Sequence, residues 1–260
     1  MTPEEIEYAV HDGSKLTGVF YRPEAARNCP VLVAVHGGAW KGGDAKQFQY
    51  WGPWFASRGT ALLSIEYRLV QGERNRYPAA VDDVRAAVKY VRANASRLGI
   101  DPQRVGLIGA SAGGHLSALV ALTGETPVKV VVGVCGVYDL LAQWHHDQIA
   151  RPRDQQAEIF LGVSPMENRQ RYFEASPISY ATVHANKTSF LLSWGTDDDV
   201  VDWQTQSQPF VTALKQAGYY VRIAPVPAAP HFWLYDPIDE PHSFAGFLAP
   251  KLWRFLSERL

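Results

Sequence analysis

The sequence predicts an α/β fold: a mostly parallel central sheet flanked by helices, with an antiparallel hairpin at its N-terminal edge. Three observations predict it. Short β-branched runs recur along the chain, longer helical stretches separate them, and the first two runs are joined too tightly for a helix to lie between them. A parallel strand pair needs a crossover of roughly a dozen residues or more, usually a helix, so regular alternation implies a parallel sheet covered on both faces. Of the 260 residues, 47% are hydrophobic, which supplies a substantial core and fits one domain spanning residues 1 to 260.

Taken in order, "IEYAVHDG" and "KLTGVFYRP" meet at Asp12-Gly13 and Ser14, which reads as the edge hairpin. The apolar runs "PVLVAVHG" (30 to 37), "TALLSIEY" (60 to 67), "RVGLIG" (104 to 109), "KVVVGVCG" (129 to 136), "SFLLSWG" (189 to 195) and "YYVRIAPV" (219 to 226) read as strands buried on both faces. Between the second and third of these, residues 77 to 99 place Val81, Val84, Ala87, Val88 and Val91 at three-and-four spacing. Pro78 near the start and Gly99 at the end mark both limits of an amphipathic helix. From about Asp139 to Asn186 the rhythm gives way to a polar and aromatic stretch with no good strand. Such an excursion inside a compact domain is usually functional, and a small lid-like insertion is expected over 139 to 186.

Charge and cysteine usage narrow the function classes. Lys+Arg at 25 against Asp+Glu at 26 leave a net charge of -1, so no broad field recruits nucleic acid or an anionic membrane. Cys29 and Cys135 show neither disulfide-framework nor zinc spacing, which favours a reduced, cytoplasmic setting. The opening "MTPEEIEYAV" is acidic where a secretory signal would be basic, so no signal peptide is expected. Apolar runs such as residues 130 to 138 are far shorter than the roughly 20 residues a membrane span requires.

The chemistry concentrates in "RVGLIGASAGGHLSALVALTG" (104 to 124), where a strand runs through a glycine turn into a helix. A helix N-terminus attracts anions, so a phosphate cradle and a mount for a nucleophile both use these parts. Gly109-Ala110-Ser111-Ala112-Gly113 matches G-x-S-x-G, in which small residues two before and two after the serine permit a sharp strand-to-helix turn. A dinucleotide turn would follow the first parallel strand, with an acidic residue about 20 positions on. Here two strands precede it, and no Tyr-x-x-x-Lys pair occurs. No cofactor is expected.

A serine hydroxyl is a weak nucleophile, so a histidine must take its proton and a carboxylate must orient that histidine, in the chain order Ser, acid, His. The carboxylate candidates are Asp197, Asp198, Asp199 and Asp202 in "SWGTDDDVVDW", and the histidine candidates are His231 and, more remotely, His242. Negative charge on a tetrahedral intermediate needs preorganised N–H donors. The side-chain-poor loop His36-Gly37-Gly38-Ala39-Trp40 follows a strand and offers amides to converge with that of Ala112. His36 is expected to brace that loop and His115 to pack beneath the serine turn; His11 sits on the edge hairpin and His184 at the end of the insertion. The adjacent His145, His146 and Asp147 do not face one another on a helix, so no metal site is expected. Trp40, Trp144, Phe160, Tyr172 and Trp233 are candidate substrate-binding rings.

These linked motifs, "VLVAVHGGAWKGGDAKQF", then "SIEYRLV" through "GASAGGHLSALVAL", then "GTDDDVV" and "PHFW", resemble the α/β-hydrolase fold and within it the small esterases of the hormone-sensitive-lipase and feruloyl-esterase-like group. The resemblance runs from about residue 15 to the end. It implies that the acid lies in a G-x-x-D-x-x-V pattern, which falls on Gly195, Asp198 and Val201, and that the histidine in the last loop is His231. In relatives with a three-glycine loop the oxyanion donors match Gly38 and Ala39, joined by Ala112; alanine in the third place is a departure. The activity implied is cleavage of small-molecule carboxylic esters through an acyl-enzyme. A likeness to kynurenine formamidases implies aryl-formamide cleavage as the alternative, and a non-catalytic small-molecule binder on the same scaffold is the competing class.

Overall fold

The computed structural model describes residues 3–11, 13–24, 27–183 and 187–260. Eight strands, β1 (Glu4–His11), β2 (Ser14–Tyr21), β3 (Cys29–Val35), β4 (Ala61–Ile65), β5 (Ile100–Ala110), β6 (Val130–Val134), β7 (Ser189–Ser193) and β8 (Val221–Ile223), form one sheet in the order β1-β2-β4-β3-β5-β6-β7-β8. β1 and β2 pair antiparallel, as do β2 and β4; the remaining pairs are parallel. Of the hairpin turn, Asp12 lies outside the described residues, and Gly13 turns the chain at φ 77°.

The helices are α1 (Trp51–Ala56), α2 (Ala79–Ala93), α3 (Ala95–Leu98), α4 (Ala112–Leu122), α5 (Leu140–Ala150), α6 (Gln156–Leu161), α7 (Arg169–Ala175), α8 (Ser207–Gln216) and α9 (Phe244–Arg259). The helix expected over 77 to 99 is two helices. Asn94 breaks it, its side-chain amide donating to Tyr90 O at 2.9 Å while its own backbone leaves the helical region at φ -106°, ψ 17°. Gly99 then ends α3 in the left-handed conformation at φ 71°.

Alternation along the strands builds two cores. In β3, Val31, Val33 and Val35 enter a core shared with α2, α4 and α8, while Leu32 and Ala34 enter a second core shared with α1 and α9. β8 departs from the expectation of strands buried on both faces: all three of its residues are at least partly exposed. It is the sheet's edge, with a neighbour on one side only.

The insertion contains α5 to α7 and a 3₁₀ turn at Pro177–Tyr180, with no strand among its described residues; His184 and Asn186 lie outside them. Asp139 starts α5 by accepting from the amides of Leu141 and Ala142. Ala157, Phe160, Leu161, Tyr172 and Ala175 are buried in the first core, so the insertion packs as part of the molecule. Among the described residues no helix is long and apolar enough to cross a membrane.

Candidate active site

β5 ends at Ala110 and α4 begins at Ala112, which leaves Ser111 to make the whole turn, at φ 52° and ψ -120°. Few non-glycine residues adopt such a backbone, and surroundings must hold it there. The Ser111 amide donates to Val134 O at 2.8 Å, and every residue of α4 behind it is buried. The flanking glycines answer to contact distances. A Cβ on Gly109 would lie 2.2 Å from Gly113 O, and one on Gly113 would lie 1.9 Å from Val35 O.

The loops after β7 and β8 bring the other two groups to the same sheet end. His231 Nε2 stands 2.9 Å from Ser111 Oγ, and His231 Nδ1 stands 2.8 Å from Asp198 Oδ2. Asp198 Oδ1 accepts from the amides of Val200 and Val201 at 3.0 and 2.9 Å. A carboxylate only accepts, so the hydrogen-bond network assigns the proton to Nδ1 and leaves Nε2 to receive from the serine hydroxyl. Burial by itself raises the Asp198 pKa, but the hydrogen bond and charge of His231, with the two amides, hold it below the ordinary carboxylate value. The other carboxylate candidates do not reach the histidine. Asp197 and Asp199 are exposed, and Asp202 instead accepts from Gln204 N and Thr205 Oγ1. His242 is exposed.

The glycine loop borders the serine. Gly38 (φ 121°), Ala39 (φ 52°) and Trp40 (φ 59°) form a tight left-handed run, closed by Lys41 and Gly42 amides donating to Gly38 O. Gly37 N–H is engaged by Tyr235 Oη at 2.8 Å and Gln47 Oε1 at 3.1 Å. His36 stacks on Tyr67 at 4.2 Å beneath the loop. His115 Nδ1 accepts from Trp40 Nε1 at 3.1 Å and its Nε2 donates to Ala175 O at 2.8 Å. Loop, elbow helix and insertion thus share one imidazole, whose burial lowers its pKa to about 4.

Of the candidate substrate rings, the structure sets one against the cavity beside Ser111 and the other four apart from its lining. Of the five, Trp40 lines the cavity beside Ser111, a space of about 20 Å³. Phe160 is fully buried and stacks on Trp40 at 4.4 Å, and it is not among the residues lining that cavity. Tyr172 borders a separate cavity of about 530 Å³ with Arg169 and Phe173. Trp144 Nε1 donates to Glu158 Oε2 at 3.1 Å, and Trp233 is buried in the second core. Rings that fill a core and rings that line a pocket look alike in sequence. Conversely, Gln143, Arg151 and Gln156 of the insertion and Val200 beside Asp198 line the Ser111 cavity, and no motif in the sequence marks them. Nor did any mark Tyr235.

Cys135 Sγ, an Asp198 oxygen and a His231 nitrogen lie within 4.8 Å of one another. Burial, and next the Asp198 charge, push the Cys135 thiol well above its ordinary pKa. A protonated thiol beside an already paired histidine and carboxylate is a poor metal donor set. His145 is exposed and Asp147 is engaged by Gln143, so the α5 pair offers no better one.

Known proteins share this arrangement of chain. Esterase LipQ of Mycobacterium tuberculosis is 32% identical over 87% of this chain and 56% of its own length. Esterase LipC of the same organism is 33% identical over 80% of this chain and 55% of its own. The chain therefore spans about half the length of the curated relatives it matches. Thermogutta terrifontis esterase Est2 superposes with a TM-score of 0.80 at 24% identity, covering 98% of this chain and 92% of that one. The fold is the α/β-hydrolase fold. The BD-FAE family profile matches residues 18–214, three quarters of the sequence, and the chain belongs to the BD-FAE family.

Proposed function

We propose that this protein is a serine carboxylic-ester hydrolase acting on small-molecule esters, with Ser111 as nucleophile, His231 as general base and then acid, and Asp198 as the group that orients it. One observation carries the reading: the unbroken line from Ser111 Oγ through the His231 ring to Asp198, at 2.9 and 2.8 Å. As Ser111 Oγ attacks the acyl carbon, His231 Nε2 takes its proton, and the negative charge on the former carbonyl oxygen rests on the amides of Gly38, Ala39 and Ala112. His231 then protonates the departing alcohol. Water, deprotonated by the same nitrogen, attacks the acyl-enzyme and frees Ser111. The names of the relatives, esterases and carboxylic ester hydrolases, support this reading. We read residues 1 to 260 as one domain whose 139 to 186 insertion covers the site, and the two buried free thiols as suited to a reducing, cytoplasmic setting.

A fluorophosphonate probe should label the wild-type protein at Ser111 and leave Ser111→Ala unlabelled, and p-nitrophenyl acetate hydrolysis should disappear in the same variant. Labelling or full turnover in folded Ser111→Ala would overturn the assignment.

A further inference from the structure

Beside the serine, histidine and aspartate lies a buried thiol that the hydrolytic cycle does not use. Cys135 leaves β6 at φ 48°, its amide donating to Ser193 O at 2.8 Å, and it is 2% exposed. A left-handed backbone of this kind favours glycine. The position nonetheless carries a side chain, and that side chain ends at the site: Sγ, an Asp198 oxygen and a His231 nitrogen lie within 4.8 Å of one another.

Three segments meet on this sulfur. Gly195 lies on the loop after β7 that carries Asp198, and Trp233 lies on the loop after β8 that carries His231. The Gly195 amide and the Trp233 indole are hydrogen-bond partners that favour the thiolate, whereas Asp198 is a partner that favours the protonated thiol. Trp233 Nε1 is buried and has no oxygen or nitrogen acceptor among the described residues, which leaves the sulfur to receive it. Both N–H groups are donors, so they take the lone pairs of the sulfur; a carboxylate only accepts, so the one thiol proton is directed to Asp198. Asp198 has room for it. A carboxylate offers about four acceptor sites, and the Val200 amide, the Val201 amide and His231 Nδ1 use three. Burial and the Asp198 charge keep the thiol protonated, and burial keeps the nearby phenols of Tyr138 and Tyr235 protonated as well. The charges in play at the sulfur are therefore those of Asp198 and His231.

We propose that Cys135 is a positioning residue for the triad: its S–H donates to Asp198 while its sulfur ties the Asp198 loop to the His231 loop through Gly195 and Trp233. This rests on the ester-hydrolase reading and adds a residue to it. The thiol touches no substrate and acts through Asp198. By drawing part of the carboxylate charge away from His231 it makes the imidazole less basic, so the ring stays neutral, and able to act as base, to lower pH.

The first test is the pH dependence of kcat/KM for p-nitrophenyl acetate, whose acid limb reports the histidine of the free enzyme. Cys135→Ala should move that limb to higher pH by about 0.5 of a pH unit or more. Cys135→Ser restores both a donor and an acceptor and should hold the limb at or below its wild-type position. An acid limb shared by wild type and folded Cys135→Ala, or a serine variant that follows the alanine variant, overturns the proposal. The second test needs no change at position 135. The chain has two cysteines, so Cys29→Ser leaves Cys135 as its one thiol. The infrared S–H stretch should lie at the lowered frequency of a bonded thiol and rise when Asp198→Ala is added. A band indifferent to that substitution overturns the proposal. Because the band does not depend on catalysis, failure of the ester-hydrolase reading, with no Ser111-dependent turnover, is told apart from failure of this one.

Discussion

His115 has no place in the proton path, yet folding must work against its titration. Its ring is fully buried between Trp40 and the Ala175 carbonyl, and burial lowers its pKa to about 4, against about 6.5 in an unfolded chain. Between those values the unfolded chain binds a proton that the folded chain refuses, so stability rises with pH across the window and falls as pH drops from about 6.5 to 4. The loss expected from this residue is roughly 3 kcal/mol. Urea midpoints at pH 7, 5.5 and 4.5 should show that slope in wild type and a flatter one in His115→Gln; parallel slopes would assign it elsewhere. Asp198 behaves in the opposite sense. Its carboxyl is held below the ordinary value, so its contribution is present above the unfolded pKa of about 3.9 and is lost only as pH falls through the lower folded value. It therefore adds nothing to the slope above pH 4.5. Asp198→Asn should keep the fold and lose about 10⁴ in kcat, because an amide no longer fixes the tautomer that Nε2 needs; a loss under tenfold would remove Asp198 from its role. Sequence separated Ser111 and His231 readily, by turn chemistry and chain order. Choosing among four nearby aspartates needed the family resemblance, since what distinguishes Asp198 is its position against the Val200 and Val201 amides.

The loop after β3 and the elbow before α4 both depend on glycines that admit no side chain, but the loop also has a strained position that carries one. In the elbow, Gly109 and Gly113 are excluded from change by backbone oxygens at 2.2 and 1.9 Å from any added Cβ. In the loop, Gly38 meets the same kind of limit, since a Cβ there would lie 2.2 Å from Gly42 O. Ala39 already carries a Cβ at φ 52°, where an L-residue costs about 1 to 2 kcal/mol relative to glycine. The two positions should therefore respond differently. Gly38→Ala should displace the amides and lower kcat by about 10² to 10³, whereas Ala39→Gly should keep kcat/KM within about threefold and leave stability nearly level, because relieved strain offsets the greater freedom of an unfolded glycine. Steady-state kinetics on both variants checks this, and a severe defect in Ala39→Gly would mean that its methyl group shapes the acyl pocket. Glycine spacing made both turns legible before any coordinates. The division of α2 from α3 was not legible, because Asn94 departs from a helix by a local side-chain hydrogen bond that hydrophobic periodicity does not register.

Across the molecule, the insertion, the glycine loop and the elbow helix meet in one buried aromatic contact. Phe160 from α6 stacks on Trp40 at 4.4 Å and lies edge-on to His115 at 5.5 Å, while Trp40 Nε1 donates to that same histidine. The long excursion was expected to be a lid with rings facing the substrate. Its rings pack inward: Phe160 stacks on the tryptophan that lines the cavity, and Tyr172 and Ala175 anchor the insertion in the first core. Phe160→Ala should accordingly cost about 3 to 5 kcal/mol of stability, the ordinary cost of a large cavity in a core. It should also lower kcat/KM under conditions where the variant remains folded, because Trp40 adjoins Ala39 and a loosened ring moves the Ala39 amide, the proposed oxyanion donor. An ångström of misplacement is enough for about 10²-fold. Equilibrium urea denaturation and steady-state kinetics on one preparation separate the two effects. Lost stability with unchanged kcat/KM would make the insertion core alone; loss of both would show that the insertion sets the geometry of the serine site through the contact of Phe160 with Trp40.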